Sequence, residues 1–75
     1  METRSNIVYR KSELVGTSHE GFDDAVERAM KRAQKTLRNL RWFVVKEQRG
    51  RITSNGSIEY QVTIEIGFAL EDTMT

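Results

Sequence analysis

The strongest constraint in this chain is an unbroken alternation near its end. From Ile58 to Leu70, the residues Ile58, Tyr60, Val62, Ile64, Ile66, Phe68 and Leu70 share one parity. Glu59, Gln61, Thr63, Glu65, Gly67 and Ala69 share the other. Period-two alternation predicts a strand buried on one face only. At about 3.3 Å per residue it would span roughly 40 Å, far beyond a common strand. Gly67 is the expected place for a bend. The apolar face needs a cover. The polar face must meet water, a ligand or another chain.

The cover is predicted upstream. Phe22, Ala25, Val26, Ala29, Met30, Ala33, Leu37 and Leu40 recur at three- and four-residue steps, the apolar stripe of one helix. Ser18, or Thr17 with Glu20, supplies an N-cap, and Asn39 a stop. Glu20, Asp23, Asp24 and Glu27 lie near the start and cations towards the end, which suits the helix dipole. Asp24–Arg28 and Glu27–Lys31 are i,i+4 pairs of favourable order. The expected helix is about 30 Å long, and its alanines let it lie close to a sheet. Before it, Ile7 to Val15 reads as a first strand ended by Gly16. After it, Arg41 to Ile52 reads as a second, with Phe43 and Val45 on one face and Trp42 and Val44 on the other.

Asn55-Gly56 is a two-residue hairpin signal. Centred there, the register pairs Val45 with Ile66, Phe43 with Phe68, Trp42 with Ala69 and Gln61 with Gly50, and sets Lys46 against Glu65. Glu47 and Arg49 then fall on the apolar parity, so either a bulge is expected around Gly50 or the helix does not cover that end. Placing the last strand between the other two makes all neighbours antiparallel. The fold class is α+β: a β-α-β-β unit, three antiparallel strands curled around one helix. Trp42, Val44, Gln61, Thr63 and Ala69 remain uncovered on the far face, which predicts self-association.

With 75 residues the chain is one domain, its core expected over residues 7–72 and a flexible tail over 1–6. No cysteine is present, which rules out disulfides and thiolate metal sites. No stretch has the length of a membrane span or the pattern of a signal peptide, so the expected location is cytoplasmic, with no membrane partner. Net charge is only +1, yet Arg28 to Arg51 holds nine cations against one acid, Glu47. That block is the basis of an alternative function, nucleic-acid or anion binding. Its simpler reading is a solvated face that complements the helix dipole.

Catalysis has no sequence support. His19 stands without a second histidine or a cysteine and reads as a surface residue. Asp23, Asp24 and Glu27 are explained by the helix start rather than by a metal. No nucleophile–base set, phosphate-binding loop or dinucleotide fingerprint occurs. Trp42, the single tryptophan, sits on the uncovered face, where an indole can stack on an electron-poor heterocycle. Gln61 shares that face and carries both a donor and an acceptor. Together they point to a flat heteroaromatic ligand.

The segments Leu14-Val15-Gly16-Thr17-Ser18, Leu40-Arg41-Trp42-Phe43-Val44-Val45, Arg49-Gly50, Tyr60-Gln61-Val62 and Gly67-Phe68-Ala69-Leu70-Glu71 together resemble the dodecins, small flavin-binding proteins. The resemblance runs from about Val8 to Asp72. It implies a hollow homododecamer, with flavins stacked in pairs between tryptophans of different subunits. It implies Trp42 as the stacking platform, Gln61 as partner of the polar edge of the isoalloxazine, and Arg49 beside the phosphate-bearing side. The implied function is flavin storage and sequestration with quenching of flavin photochemistry, not catalysis. FMN is the implied cofactor, riboflavin and FAD are the other flavins, and coenzyme A is a second ligand in some members. Ala69 stands where many bacterial members have an arginine, and Arg41 where many have an acid. A nucleic-acid partner is not expected on this reading. A shell subunit without ligand is a third reading.

Overall fold

A computed structural model describes residues 6–70. The expected tail and the end of the expected core therefore lie partly outside the described residues. Four elements follow in order: β1 (Tyr9–Ser18), α1 (Phe22–Thr36), β2 (Leu40–Ile52) and β3 (Ile58–Ala69). The sheet order is β1-β3-β2, and β3 is antiparallel to both neighbours. The best-patterned strand is central, as its alternation requires.

Val62, Ile64 and Ile66 of β3 are fully buried, and Ala25, Ala29 and Ala33 of α1 close over them. Leu14, Phe22, Val26, Met30, Leu37 and Leu40 pack around this nucleus. The phases agree: a three-to-four-residue stripe meets a two-residue stripe. Gly16 does not end the first strand, which runs on to Ser18. A Cβ at Gly16 would collide with the Ala25 carbonyl and press on the Ala29 methyl. Its missing side chain is the space into which the helix backbone settles.

The helix is shorter than expected, 15 residues or about 22 Å. Ser18 is not its N-cap. The cap is Gly21, with no side-chain hydrogen bond. Ser18 instead accepts from the Glu20 N–H at 2.9 Å and donates to Asp24 at 2.7 Å, fastening the strand end to the first helical turn. Asp24 also pairs with Arg28 at 2.6 Å, the expected i,i+4 contact. Leu37 is the C-cap, and Asn39 follows with φ 62, inside the connection to β2 rather than at the helix end.

The hairpin differs from expectation by one residue. Ile52 pairs with Ile58, leaving a five-residue loop from Thr53 to Ser57. Thr53 N–H donates to the Ser57 carbonyl, and the Thr53, Asn55 and Ser57 side chains bond to one another inside the loop. The bulge also lies elsewhere. Register shifts occur between Leu40 and Trp42 and between Val45 and Glu47, not around Gly50. Beyond the second shift, Glu47, Arg49 and Arg51 oppose Thr63, Gln61 and Glu59 on the polar face. Charged residues that a regular strand would turn towards the core are thereby delivered to the outside.

α1 packs on β1 and β3, so the sheet does not wrap the helix fully. From Arg41 to Ile52 every residue of β2 is exposed. Phe43 and Val45, on the helix side, are 44% and 39% exposed; Trp42 and Val44, on the other, are 39% and 45% exposed. Apolar surface is thus open on both faces of one strand.

Candidate functional site: the open sheet face

The face opposite α1 is built by alternate residues of all three strands. Across it run the rows Tyr9–Ala69, Lys11–Gly67–Trp42, Glu13–Glu65–Val44, Val15–Thr63–Glu47 and Thr17–Gln61–Arg49, then Glu59–Arg51. Trp42 opposes Gly67, not Ala69. The six-membered ring of its indole lies against Gly67, where any Cβ would strike it. Gly67 thus serves as the bed for the indole and is paired on both sides, to Lys11 and Trp42. Tyr9 meets the same indole edge-on, centroids 5.0 Å apart at 64°. Ala69, expected to be uncovered, is buried, its N–H bonded to the Asn39 carbonyl. The indole is braced on two sides and open to solvent over the remainder.

In the middle of the face, Glu65 is flanked by Lys11 at 3.5 Å and Lys46 at 4.0 Å. The expected Lys46–Glu65 contact therefore exists, although Val44 is the residue directly opposite Glu65 and Lys46 sits at the bulge. Lower down, Arg49 Nε donates to Gln61 Oε1 at 2.7 Å. Gln61 Nε2 donates to Glu59 Oε1 at 3.0 Å, and Arg51 Nε donates to the same oxygen at 2.9 Å. The Arg51 guanidinium and then the Gln61 amide hold the Glu59 carboxyl below its usual range. His19 is exposed, as expected, and its Nδ1 lies 3.0 Å from the Ile58 carbonyl.

Trp42, Gln61 and Arg49 are all on this face, but not in one place. Arg49 and Gln61 touch. Trp42 is six residues further along β3, counted from Gln61 to its partner Gly67, or about 20 Å. Alternation alone put Arg49 on the wrong face; the bulge corrects it. Sequence reasoning also missed Tyr9, Glu59 and the bedding role of Gly67. Only Glu59 left a usable signal, lying two residues before Gln61 on the same parity.

The basic block does not form one patch. Arg28, Lys31, Arg32 and Lys35 belong to α1, Arg41, Lys46, Arg49 and Arg51 to β2. Arg28, Lys46 and Arg51 have carboxylate partners within the chain. Among the described residues no three His, Cys, Asp or Glu side chains gather into a group that could hold a metal ion. No described helix is long and apolar enough to cross a membrane.

A β-α-β-β unit with one helix on one sheet face and an aromatic and hydrogen-bonding array on the other defines a small α+β subunit of a particular class. The dodecin family model matches residues 8–71 of this chain, and the chain belongs to the dodecin family. It is 59% identical over 66 residues to the dodecin of Thermus thermophilus, covering 88% of this chain and 96% of that protein. A crystal structure of a Thermus thermophilus protein superposes with a TM-score of 0.83 at 57% identity, covering 91% of this chain and 100% of that one. The calcium dodecin of Mycobacterium tuberculosis is 30% identical over 63 residues, 84% of this chain and 89% of that protein.

Proposed function

We propose that this protein binds flavin, FMN foremost, on the open sheet face and holds it in storage without turning it over. The carrying observation is Trp42: an indole bedded on Gly67, braced by Tyr9 and 39% exposed. Such a ring offers a flat, electron-rich surface to an electron-poor heterocycle. Gln61 supplies a donor and an acceptor for a polar ring edge, and Arg49 adds a cation beside it. These residues fit an isoalloxazine, whose ring supplies light absorption and redox chemistry when bound. With a flavin held there, Trp42 would be the residue placed to quench its excited ring by electron transfer.

Trp42 and Gln61 of one flavin site come from different chains. The 20 Å between their rows, at about 3.3 Å per residue, exceeds a three-ring heterocycle. Two sheets meeting face to face bring one chain's Gln61 to the other's Trp42. The apolar surface left open on β2 gives the drive to assemble, and a homododecamer is the assembly proposed. The site is then a product of assembly, and dissociation releases flavin. A cytoplasmic location completes the reading, and coenzyme A is the second ligand to test.

The test is a titration of FMN and riboflavin, followed by quenching of flavin fluorescence, alongside sedimentation. Stacking on an aromatic is worth about 1–3 kcal/mol by truncation, so Trp42→Ala should weaken binding about 5- to 150-fold, with Trp42→Phe in between. Unchanged affinity in the alanine variant refutes the stacking role. A monomer at micromolar concentration refutes the assembled site.

A further inference from the structure

A glutamine amide is ambiguous as a reader of ligands. Half a turn about its last torsion exchanges donor and acceptor. Here the exchange is blocked. A guanidinium only donates and an ionised carboxylate only accepts, so Arg49 must meet Oε1 and Glu59 must meet Nε2. The flipped amide would set donor against donor at 2.7 Å and acceptor against acceptor at 3.0 Å. Arg51 fixes Glu59 in turn, from the neighbouring cross-strand pair.

We propose that Glu59 is a positioning residue for ligand recognition: through its hydrogen bond it fixes which end of the Gln61 amide meets the ligand. This rests on the flavin reading above. What Gln61 has left is one lone pair on Oε1 and one hydrogen on Nε2. Donation from Arg49 sharpens that remaining hydrogen, and acceptance by Glu59 enriches that remaining lone pair. The amide is therefore set to read a cyclic imide edge, N–H beside C=O, in one order only. Glu59 need not touch the ligand.

The experiment compares riboflavin with N3-methylriboflavin, in which the imide N–H is blocked, by fluorescence quenching on the intact assembly. A hydrogen bond contributes about 0.5–1.5 kcal/mol net, and 1.4 kcal/mol is tenfold. The parent protein should prefer riboflavin about tenfold. Glu59→Ala should weaken riboflavin about three- to tenfold while barely changing the methyl analogue, so that the preference collapses. Glu59→Gln keeps an acceptor for Nε2 and should restore most of it, which separates positioning from mere loss of fold. Equal weakening of both ligands, or an unchanged preference in both variants, overturns the inference while flavin binding stands. Failure of the parent protein to bind any flavin overturns the flavin reading and this inference together.

Discussion

Gly67→Ala should disable the stacking platform while leaving the fold intact. The added methyl would overlap Cε2 and Cζ2 of Trp42 and lie 2.6 Å from Cη2. Carbon atoms rest at about 3.5–4.0 Å, so the indole must retreat by roughly 1 Å or more. Retreat costs the edge-on contact with Tyr9, an aromatic pair worth about 0.5–1.5 kcal/mol. Against this, Gly67 has no positive φ, and replacing glycine at a compatible position stabilises by about 0.4–1 kcal/mol through the unfolded chain. The two effects offset, and the net change in stability should stay within about 1 kcal/mol. Trp42 is the only tryptophan, so its emission reports this site alone. The expected result is a red-shifted emission, a urea midpoint near that of the parent, and flavin affinity reduced towards that of Trp42→Ala. An unshifted emission with full affinity would show that the indole is not bedded on Gly67.

Three further outcomes follow from the same geometry. Ile64 is fully buried beneath the helix, so Ile64→Ala should cost about 2–5 kcal/mol in urea denaturation; a loss under about 1 kcal/mol would contradict the core assignment. Deleting Lys46 removes the extra residue of the bulge and leaves a regular strand in which Val45 still faces the helix side and Glu47, Arg49 and Arg51 still oppose Thr63, Gln61 and Glu59; flavin affinity should survive both this deletion and Lys46→Ala, and its loss in the deletion alone would show that the bulge does more than set the side Arg49 faces. Asp24 and Glu59 are held below their usual 3.8 and 4.5 by Arg28 with Ser18, and by Arg51 with Gln61. Folded values below unfolded ones mean that this stabilisation is full above about pH 5 and is lost as pH falls through 4.5, 3.8 and below. Melting temperature against pH should decline over that window, less steeply in Asp24→Asn, and an identical acid limb in that variant would count against the Arg28–Ser18 clamp.

Much of this was legible in the residues because two periodicities speak plainly. The alternation of β3 and the alanine stripe of α1 each fix a buried face, and only one order of elements brings those faces together. The hairpin misled because Asn55-Gly56 signals a two-residue loop, whereas the strands part at Ile52 and Ile58. Thr53 and Ser57, whose side chains bond within the loop, widened it to five residues and slipped the register by one. The bulge was displaced because charged residues surround it. Lys46 and Glu47 suit the outside whichever way the chain turns, so neither marks where parity changes; the mark is the switch from Phe43 and Val45 to Gln48, Gly50 and Ile52 facing the helix side. Ser18 has the chemistry of a cap, and it was recruited to bind Asp24 from the end of a strand instead. The pairing of Arg49 with Gln61 depends on the bulge and on the five-residue loop together, which is why the residues were recognisable and their contact was not.

β2 is also an edge. Thirteen residues long and apolar on both faces, it has the properties of a seed for endless strand-on-strand growth. Two irregularities break its hydrogen-bonding rim, and Arg41, Lys46, Arg49 and Arg51 place like charges along it. A second copy approaching edge to edge meets a broken ladder and its own repulsion; one approaching face to face meets hydrophobic surface. The same cations that suggested nucleic acid when counted along the chain therefore act as gatekeepers. They leave closed, finite association open and obstruct fibrous growth.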